Sequence, residues 1–192
     1  AGTCNYSCTN QPTTMWGTVT VVAGATSSFT STGLDVVGTS DSISLNGTEI
    51  SGFSTAYEQS GGSLFMNGGA DLSGANYAVD IDGTDVSSDG AKLTATSATG
   101  VGLYFVGGGA LALTDLSTDA SQGVYIKGTT KGLFDWNGGT VHSGTGLYAT
   151  DKAEGDIQNM TWTDASTQIY AGSDTKITSV GNTIDLNKLV VV

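Results

Sequence analysis

The chain has 192 residues, of which 38 % are hydrophobic and only 12 % are charged, and it contains 29 glycines but a single proline. This length allows one domain with a sizeable core, and the hydrophobic share excludes a disordered tail. The regular placement of Val, Ile, Leu and aromatic residues argues against a flexible linker. The net charge is −12 and all six basic residues are lysines, which excludes nucleic acid and anionic membranes as partners, and no apolar run is long enough for membrane insertion.

Residues 1–17 are predicted to form a polar N-terminal arm that contains both cysteines, Cys4 and Cys8. Three residues separate the cysteines, whereas a redox CxxC motif has two, and the single histidine leaves too few ligands for zinc. We therefore expect a disulfide, within the chain or to a neighbouring molecule, and an extracellular or cell-surface location. Three N-x-S/T sequons fit the same location as candidate glycosylation sites, at Asn5, Asn46 and Asn159.

From residue 18 onward, the sequence repeats a segment in which one residue stands between two mostly apolar neighbours. The middle residues are Asp35, Tyr57, Asp80, Tyr104, Tyr125, Tyr148 and Tyr170, and Val191 follows in the closing "LVVV". Successive members of this series are 21 to 24 residues apart. Periods of this length are typical of stacked-repeat proteins, so residues 18–192 are predicted to be one solenoid domain.

Each period also holds two other strand-like segments, about 12 and 8 residues before the middle residue, with Gly, Asn, Asp and Ser as turn residues between them. The copy at 84–100 is degenerate and predicts an enlarged turn. No stretch has the apolar spacing of a long helix. The prediction is an all-β solenoid of about seven coils, with about 22 residues and three short strands in each coil.

Stacked coils bring equivalent residues into columns that are about 4.8 Å apart from coil to coil. Because strand side chains alternate in direction, the apolar neighbours are expected to point inward and the middle residue outward. The sequence therefore predicts an external ladder of stacked tyrosines, formed by Tyr57, Tyr104, Tyr125, Tyr148 and Tyr170.

With these features, residues 18–192 resemble the right-handed parallel β-helix family, which includes pectin-degrading enzymes, phage tailspikes and surface adhesins. The resemblance depends on the period, on the three-strand coils and on asparagine at the turn after one strand, at Asn46, Asn67 and Asn137. It implies the fold, and it makes a polysaccharide-active enzyme an alternative to be weighed.

The residues present do not favour catalysis. The lyases of the family pair calcium-binding aspartates with a basic residue, often arginine, and this chain has no arginine. Hydrolysis would need carboxylates that converge from adjacent coils, and the nearest group is Asp80, Asp82 and Asp85. In the next coil, its neighbours are expected to be Tyr104 and Val106. We predict that the protein is not an enzyme and has no cofactor, with the three aspartates as a weak candidate for Ca²⁺.

The single histidine and the tryptophans are predicted to have structural roles. His142 has no evident catalytic partner in the sequence. Trp136 and Trp162 fall on apolar repeat positions, which favours core packing over a sugar-stacking platform together with Trp16.

The ends of the predicted solenoid suggest a function. Both "GTVTVVAG" and "LNKLVVV" are prone to form strands and carry no capping helix, and uncovered strand edges invite pairing with another chain. The residues expected to form these ends are Val19, Val21, Leu189, Val190, Val191 and Val192. The leading hypothesis is a structural protein that self-associates head to tail into a filament or surface lattice. The alternatives are a glycan- or host-binding adhesin or tailspike-type module that uses the ladder, and a degenerate polysaccharide-active enzyme.

Overall fold

A computed structural model describes residues 2–7, 16–21, 32–37, 40–130 and 132–192. The regular structure in these ranges is almost entirely β-strand, and the single helical element among them is a 3₁₀ turn, Leu186–Lys188. None of the described segments is a helix that is long and apolar enough to cross a membrane. The all-β prediction is confirmed.

The first two strands form a hairpin of their own. β1 (Gly2–Ser7) pairs antiparallel with β2 (Trp16–Val21), and neither strand belongs to the larger sheets. Residues 18–21 had been assigned to the solenoid from their β-prone composition, and they lie instead in this hairpin, with Val19 opposite Cys4. Strand propensity indicates a strand but does not select its partner, which explains the difference.

The rest of the described chain winds through two parallel sheets. The ten-stranded sheet contains β3 (Thr32–Val37), β5 (Glu49–Ser60), β7 (Asp71–Asp82), β9 (Lys92–Ala95), β10 (Val101–Val106), β12 (Ser117–Lys127), β14 (Thr140–Thr150), β16 (Thr161–Thr163), β17 (Thr167–Ala171) and β19 (Leu189–Val191). The seven-stranded sheet contains β4 (Ser42–Asn46), β6 (Ser63–Asn67), β8 (Asp85–Asp89), β11 (Leu111–Thr114), β13 (Phe134–Asn137), β15 (Glu154–Gln158) and β18 (Lys176–Val180).

Each strand of the seven-stranded sheet begins one coil, so that coil 1 begins at β4 and coil 7 at β18. The protein is thus a parallel β-helix of about seven coils with a spacing of about 22 residues, as predicted. The second and third predicted strands of a coil are continuous in β5, β7, β12 and β14. In coil 3 they are separated by residues 96–100, which is the enlarged turn expected from the degenerate copy.

Columns of aliphatic side chains fill the interior. On the ten-stranded sheet, one inward column is Leu34, Tyr57, Val79, Leu103, Val124, Leu147, Ile169 and Leu189. The opposite sheet supplies columns such as Ile43, Leu64, Val86 and Leu111. Within the middle coils these residues are fully or almost fully buried, and such burial is the main stabilising contribution to the fold.

A column of small, mostly buried residues lies one position before the inward column that begins at Leu34. Its members are Gly33, Ala56, Ala78, Gly102, Gly123 and Gly146. A Cβ added at Gly102 would lie 2.6 Å from the Gly123 carbonyl oxygen, and one at Gly146 would overlap the ring of Trp162. Glycine is therefore needed here for close approach between coils.

Candidate functional site

One outward column on the ten-stranded sheet changes chemistry along the solenoid. Its members in register are Asp35, Glu58, Asp80, Tyr104, Tyr125, Tyr148, Tyr170 and Val190. Coils 1 and 2 and the preceding β3 thus present carboxylates, whereas coils 3 to 6 present phenols. The residue after Tyr170 in this column is Val190, one position before the predicted Val191.

Tyr57 is not part of this column, which corrects the prediction for coil 1. Its side chain is fully buried, and Glu58 takes the outward position instead. The Tyr57 hydroxyl donates a hydrogen bond to Gln59 Oε1 at 2.5 Å, and Gln59 Nε2 donates in turn to the Gly61 carbonyl at 2.8 Å. Burial, and then the charge of Asp41, raises the pKa of Tyr57 well above its usual range. The phenol is tolerated inside because the buried Gln59 side chain accepts its hydrogen bond.

The other four predicted tyrosines do form a ladder, and a fifth ring extends it. Ring centroids are 5.1 Å apart for Tyr104–Tyr125, 4.6 Å for Tyr125–Tyr148 and 4.3 Å for Tyr148–Tyr170. Tyr77 stands 5.5 Å from Tyr104, although its backbone partner is Val101. We call these five residues the tyrosine ladder. The repeat does not predict this contact, because Tyr77 belongs to a neighbouring column in which its register partner is Val101.

Ring orientation decides which surface the ladder offers. The rings of Tyr148 and Tyr170 are parallel within 2°, so each covers a face of the other. The three other pairs are tilted by 50° to 87°. The adjacent outward column supplies hydrogen-bonding side chains at Gln122, Thr145 and Thr167, all half-buried. The face therefore presents ring edges, hydroxyls and an amide.

Asp80 occupies the boundary between the acidic and aromatic parts of the column. Burial, and then the charges of Glu58 and Asp82, raises the pKa of its carboxyl from 3.8 to about 6. Tyr104 and Val106 are the register partners of Asp80 and Asp82 in coil 3, as predicted, but Glu58 lies beside Asp80 in coil 1. The sequence analysis missed this carboxylate neighbour because it had assigned the outward position to Tyr57.

The three aspartates proposed for Ca²⁺ do not converge. Asp80 and Asp82 lie on the ten-stranded sheet, whereas Asp85 begins β8 on the other sheet and accepts a hydrogen bond from the Ala110 N–H at 2.8 Å. Across the ranges the structure describes, no group of three or more His, Cys, Asp or Glu is arranged to hold a metal ion.

The remaining candidate residues have structural environments. Trp136 is buried and packs at 6.5 Å against Trp162, which also contacts the core, as the repeat pattern predicted. His142 is exposed and lies 3.5 Å from a carboxylate oxygen of Asp164. Asn46 and Asn67 are in register, and Asn159 donates a hydrogen bond to Asn137 at 2.9 Å.

The sequons at Asn46 and Asn159 are exposed, and Asn5 lies in β1. Cys4 is also in β1, whereas Cys8 lies outside the described residues, so the predicted disulfide stays a prediction.

The two ends of the ten-stranded sheet carry incompletely buried apolar side chains. At one end, Leu34 and Val36 are partly buried and Val37 is 87 % exposed; at the other, Leu189 is partly buried while Val191 and Val192 are 71 % and 70 % exposed. Within the described residues, β3 pairs only with β5, and β19 pairs only with β17.

A polar loop between β18 and β19 hydrogen-bonds coil 7 to coil 6. Asn182 accepts a hydrogen bond from the Met160 N–H at 2.6 Å and donates one to the Ile157 carbonyl at 2.8 Å. The sequence analysis did not identify this contribution, because it looked for polar residues only after the final strand.

Comparisons of this chain with models of protein families, with curated proteins and with solved structures gave no match.

Proposed function

We propose that this protein is a non-catalytic extracellular structural protein that self-associates head to tail through the two ends of its ten-stranded sheet. A contact between unlike ends does not close on itself, so copies would add into a filament or a lattice. The extracellular location is supported by the cysteine spacing and the three sequons.

The observation that carries the proposal is the match between the end strands. We consider β19 of one copy paired in parallel with β3 of the next, in the same register that neighbouring coils have within the ten-stranded sheet. Leu189 would then lie beside Leu34, and Val191 beside Val36. These residues continue the same inward columns in the two strands. The contact would also place Val192 beside Val37, two outward valines whose exposure is otherwise unfavourable.

Sedimentation or light scattering over a concentration series tests association. We expect large species for the unmodified chain, and a monomer when Val191 and Val192 are both replaced by Asp, because charges would then enter the apolar contact. Circular dichroism should still report β structure for the variant. An unmodified chain that stays monomeric at its highest soluble concentration would refute the proposal.

The register can be tested separately by disulfide trapping. Two single variants, Val37→Cys and Val192→Cys, are mixed and oxidised, and linked peptides are identified by mass spectrometry. A pair formed from Val192→Cys and Ser60→Cys is the control, since position 60 lies one strand deeper and beyond the reach of a disulfide. Association without the 37–192 link would reject this register.

A second candidate is a glycan- or host-binding module. It is favoured by the hydrogen-bonding column beside the tyrosine ladder, and it would act mainly through hydroxyl and amide contacts because neighbouring rings cover part of each other. Binding to a carbohydrate array that is lost in a Tyr125→Ala, Tyr148→Ala double variant would support it. Retention of binding in that variant would exclude the ladder as the site.

A further inference from the structure

One rung of the tyrosine ladder differs from the others in geometry. Tyr148 and Tyr170 are register partners in β14 and β17, and their rings are stacked at 4.3 Å with planes only 2° apart. Burial, followed by the hydrogen bond between the Tyr148 and Tyr170 hydroxyls, raises the pKa of Tyr148. Both side chains are half-buried, so one edge of each ring reaches solvent.

Phenols held in this way are suited to oxidative coupling. Removal of one electron and one proton from a tyrosine leaves a neutral radical whose unpaired spin is shared with the ring carbons beside the hydroxyl. Two such radicals combine when their rings are held together, which positioning by a rigid scaffold favours. We propose that Tyr148 and Tyr170 are the site of an intramolecular dityrosine cross-link, which forms when a haem peroxidase oxidises them with hydrogen peroxide.

The reaction balances with these partners. Each phenol gives up one electron and one proton, and the two electrons and two protons reduce one hydrogen peroxide to two waters. A carbon–carbon bond then forms between the two ortho carbons. The hydrogens displaced from those carbons move to the phenoxyl oxygens, which restores both aromatic rings and both hydroxyls.

The rest of the ladder directs the reaction to this pair. The ring centroids of Tyr77, Tyr104 and Tyr125 are 5.1 and 5.5 Å apart in succession, and Tyr125 lies 4.6 Å from Tyr148. A radical formed on one of these rings can therefore be reduced by an electron from the next ring. Their rings are tilted against one another, whereas Tyr148 and Tyr170 are parallel. Val190 follows Tyr170 in the column and ends the ladder.

The cross-link would join coils 5 and 6 and close a loop between positions 148 and 170. Repeat proteins unfold coil by coil, and those near an end are held by fewer neighbours. A covalent link between these coils reduces the freedom of the unfolded chain, as a disulfide does. The melting temperature of the oxidised protein is expected to rise by roughly 5–10 °C.

The test treats dilute protein with horseradish peroxidase and hydrogen peroxide and measures dityrosine fluorescence, mass on a denaturing gel and linked peptides. We expect a monomeric product containing a 148–170 peptide pair. Tyr148→Phe and Tyr170→Phe should each lose that pair while keeping a ring in the stack. Tyr125→Phe is the matched control: it should retain the pair, with at most a reduced yield, because Tyr148 and Tyr170 reach solvent and can be oxidised directly. Circular dichroism checks that each variant is folded.

Three outcomes would overturn the proposal. The first is absence of dityrosine under conditions that oxidise free tyrosine. The second is a link that maps to other tyrosines or joins separate molecules. The third is equal loss of the product in Tyr125→Phe and Tyr148→Phe. Each can occur whether or not the solenoid ends associate, so the result is independent of the proposed function.

Discussion

Replacement of Asp80 by Asn is expected to stabilise the protein at neutral pH and to have little effect in acid. The pKa of this carboxyl is about 6 in the folded protein against 3.8 for the free group. Below pH 3.8 the Asp80 carboxyl is protonated in both the folded and the unfolded state, so it does not lower the free energy of unfolding. Between the two values the unfolded chain ionises first, so stability falls as pH rises, and above pH 6 the full cost is present.

The size of the effect follows from the shift. Two pKa units correspond to about 3 kcal/mol, but the side chain is only partly buried, and solvent screening reduces this to about 1 kcal/mol. Because Glu58 is one of the causes, Glu58→Gln should give part of the same gain, and the gain should shrink when Asp80 is already Asn.

Urea unfolding at pH 4 and pH 7.5, followed by circular dichroism, measures these differences. Asp89→Asn is the matched control, since Asp89 is exposed and stands in register with Asn67, where asparagine already occurs in the same column. We expect a change below about 0.5 kcal/mol for this control. An Asp80→Asn gain that is equal at both pH values would refute the electrostatic explanation.

Three further changes test the interior and the last coil. Tyr57→Phe removes the donor to the buried Gln59 Oε1, and a loss of about 1–3 kcal/mol in urea unfolding is expected; no loss would contradict a core position for the hydroxyl. Gly146→Ala places a methyl against Trp162 and 2.8 Å from the Gln168 carbonyl oxygen, which should cost about 1–3 kcal/mol and alter the near-UV circular dichroism, whereas unchanged spectra would argue against this close approach. Asn182→Ala removes the hydrogen bonds to Met160 and Ile157. Amide hydrogen exchange should then be about tenfold faster in coil 7 and unchanged in coil 4. An equal change in both coils would show that the loop does not stabilise coil 7.

The coil and its period could be predicted from the sequence because inward apolar residues recur with the same spacing in each turn. The period did not decide which residue of "AYEQ" points outward, since Tyr57 and Glu58 both fit a spacing of 22 or 23 residues. Charge could have decided it, because an unpaired carboxylate inside the coil is far more costly than a phenol with a partner. The column of small residues that begins at Gly33 could not be predicted for a different reason, because glycine and alanine add little to a hydrophobic pattern.

The candidate site was only partly predictable. The equal spacing of Tyr104, Tyr125, Tyr148 and Tyr170 predicted their contact, but the ring angles depend on local packing that no periodicity encodes. The hairpin of β1 and β2 shows a different limit. Residues 18–21 do form a strand, but in this hairpin and not in the solenoid, and the sequence predicted only a polar arm where β1 lies.

The division of one outward column into a carboxylate half and a phenol half gives the molecule a polarity along its axis. If copies add end to end in phase, the two halves alternate, with a repeat of about 38 Å, because each copy contributes eight rungs of this sheet at a rise of about 4.8 Å. A stain of multivalent cations would then decorate the assembly in stripes, and the stripe interval would report the length of one subunit without any tag.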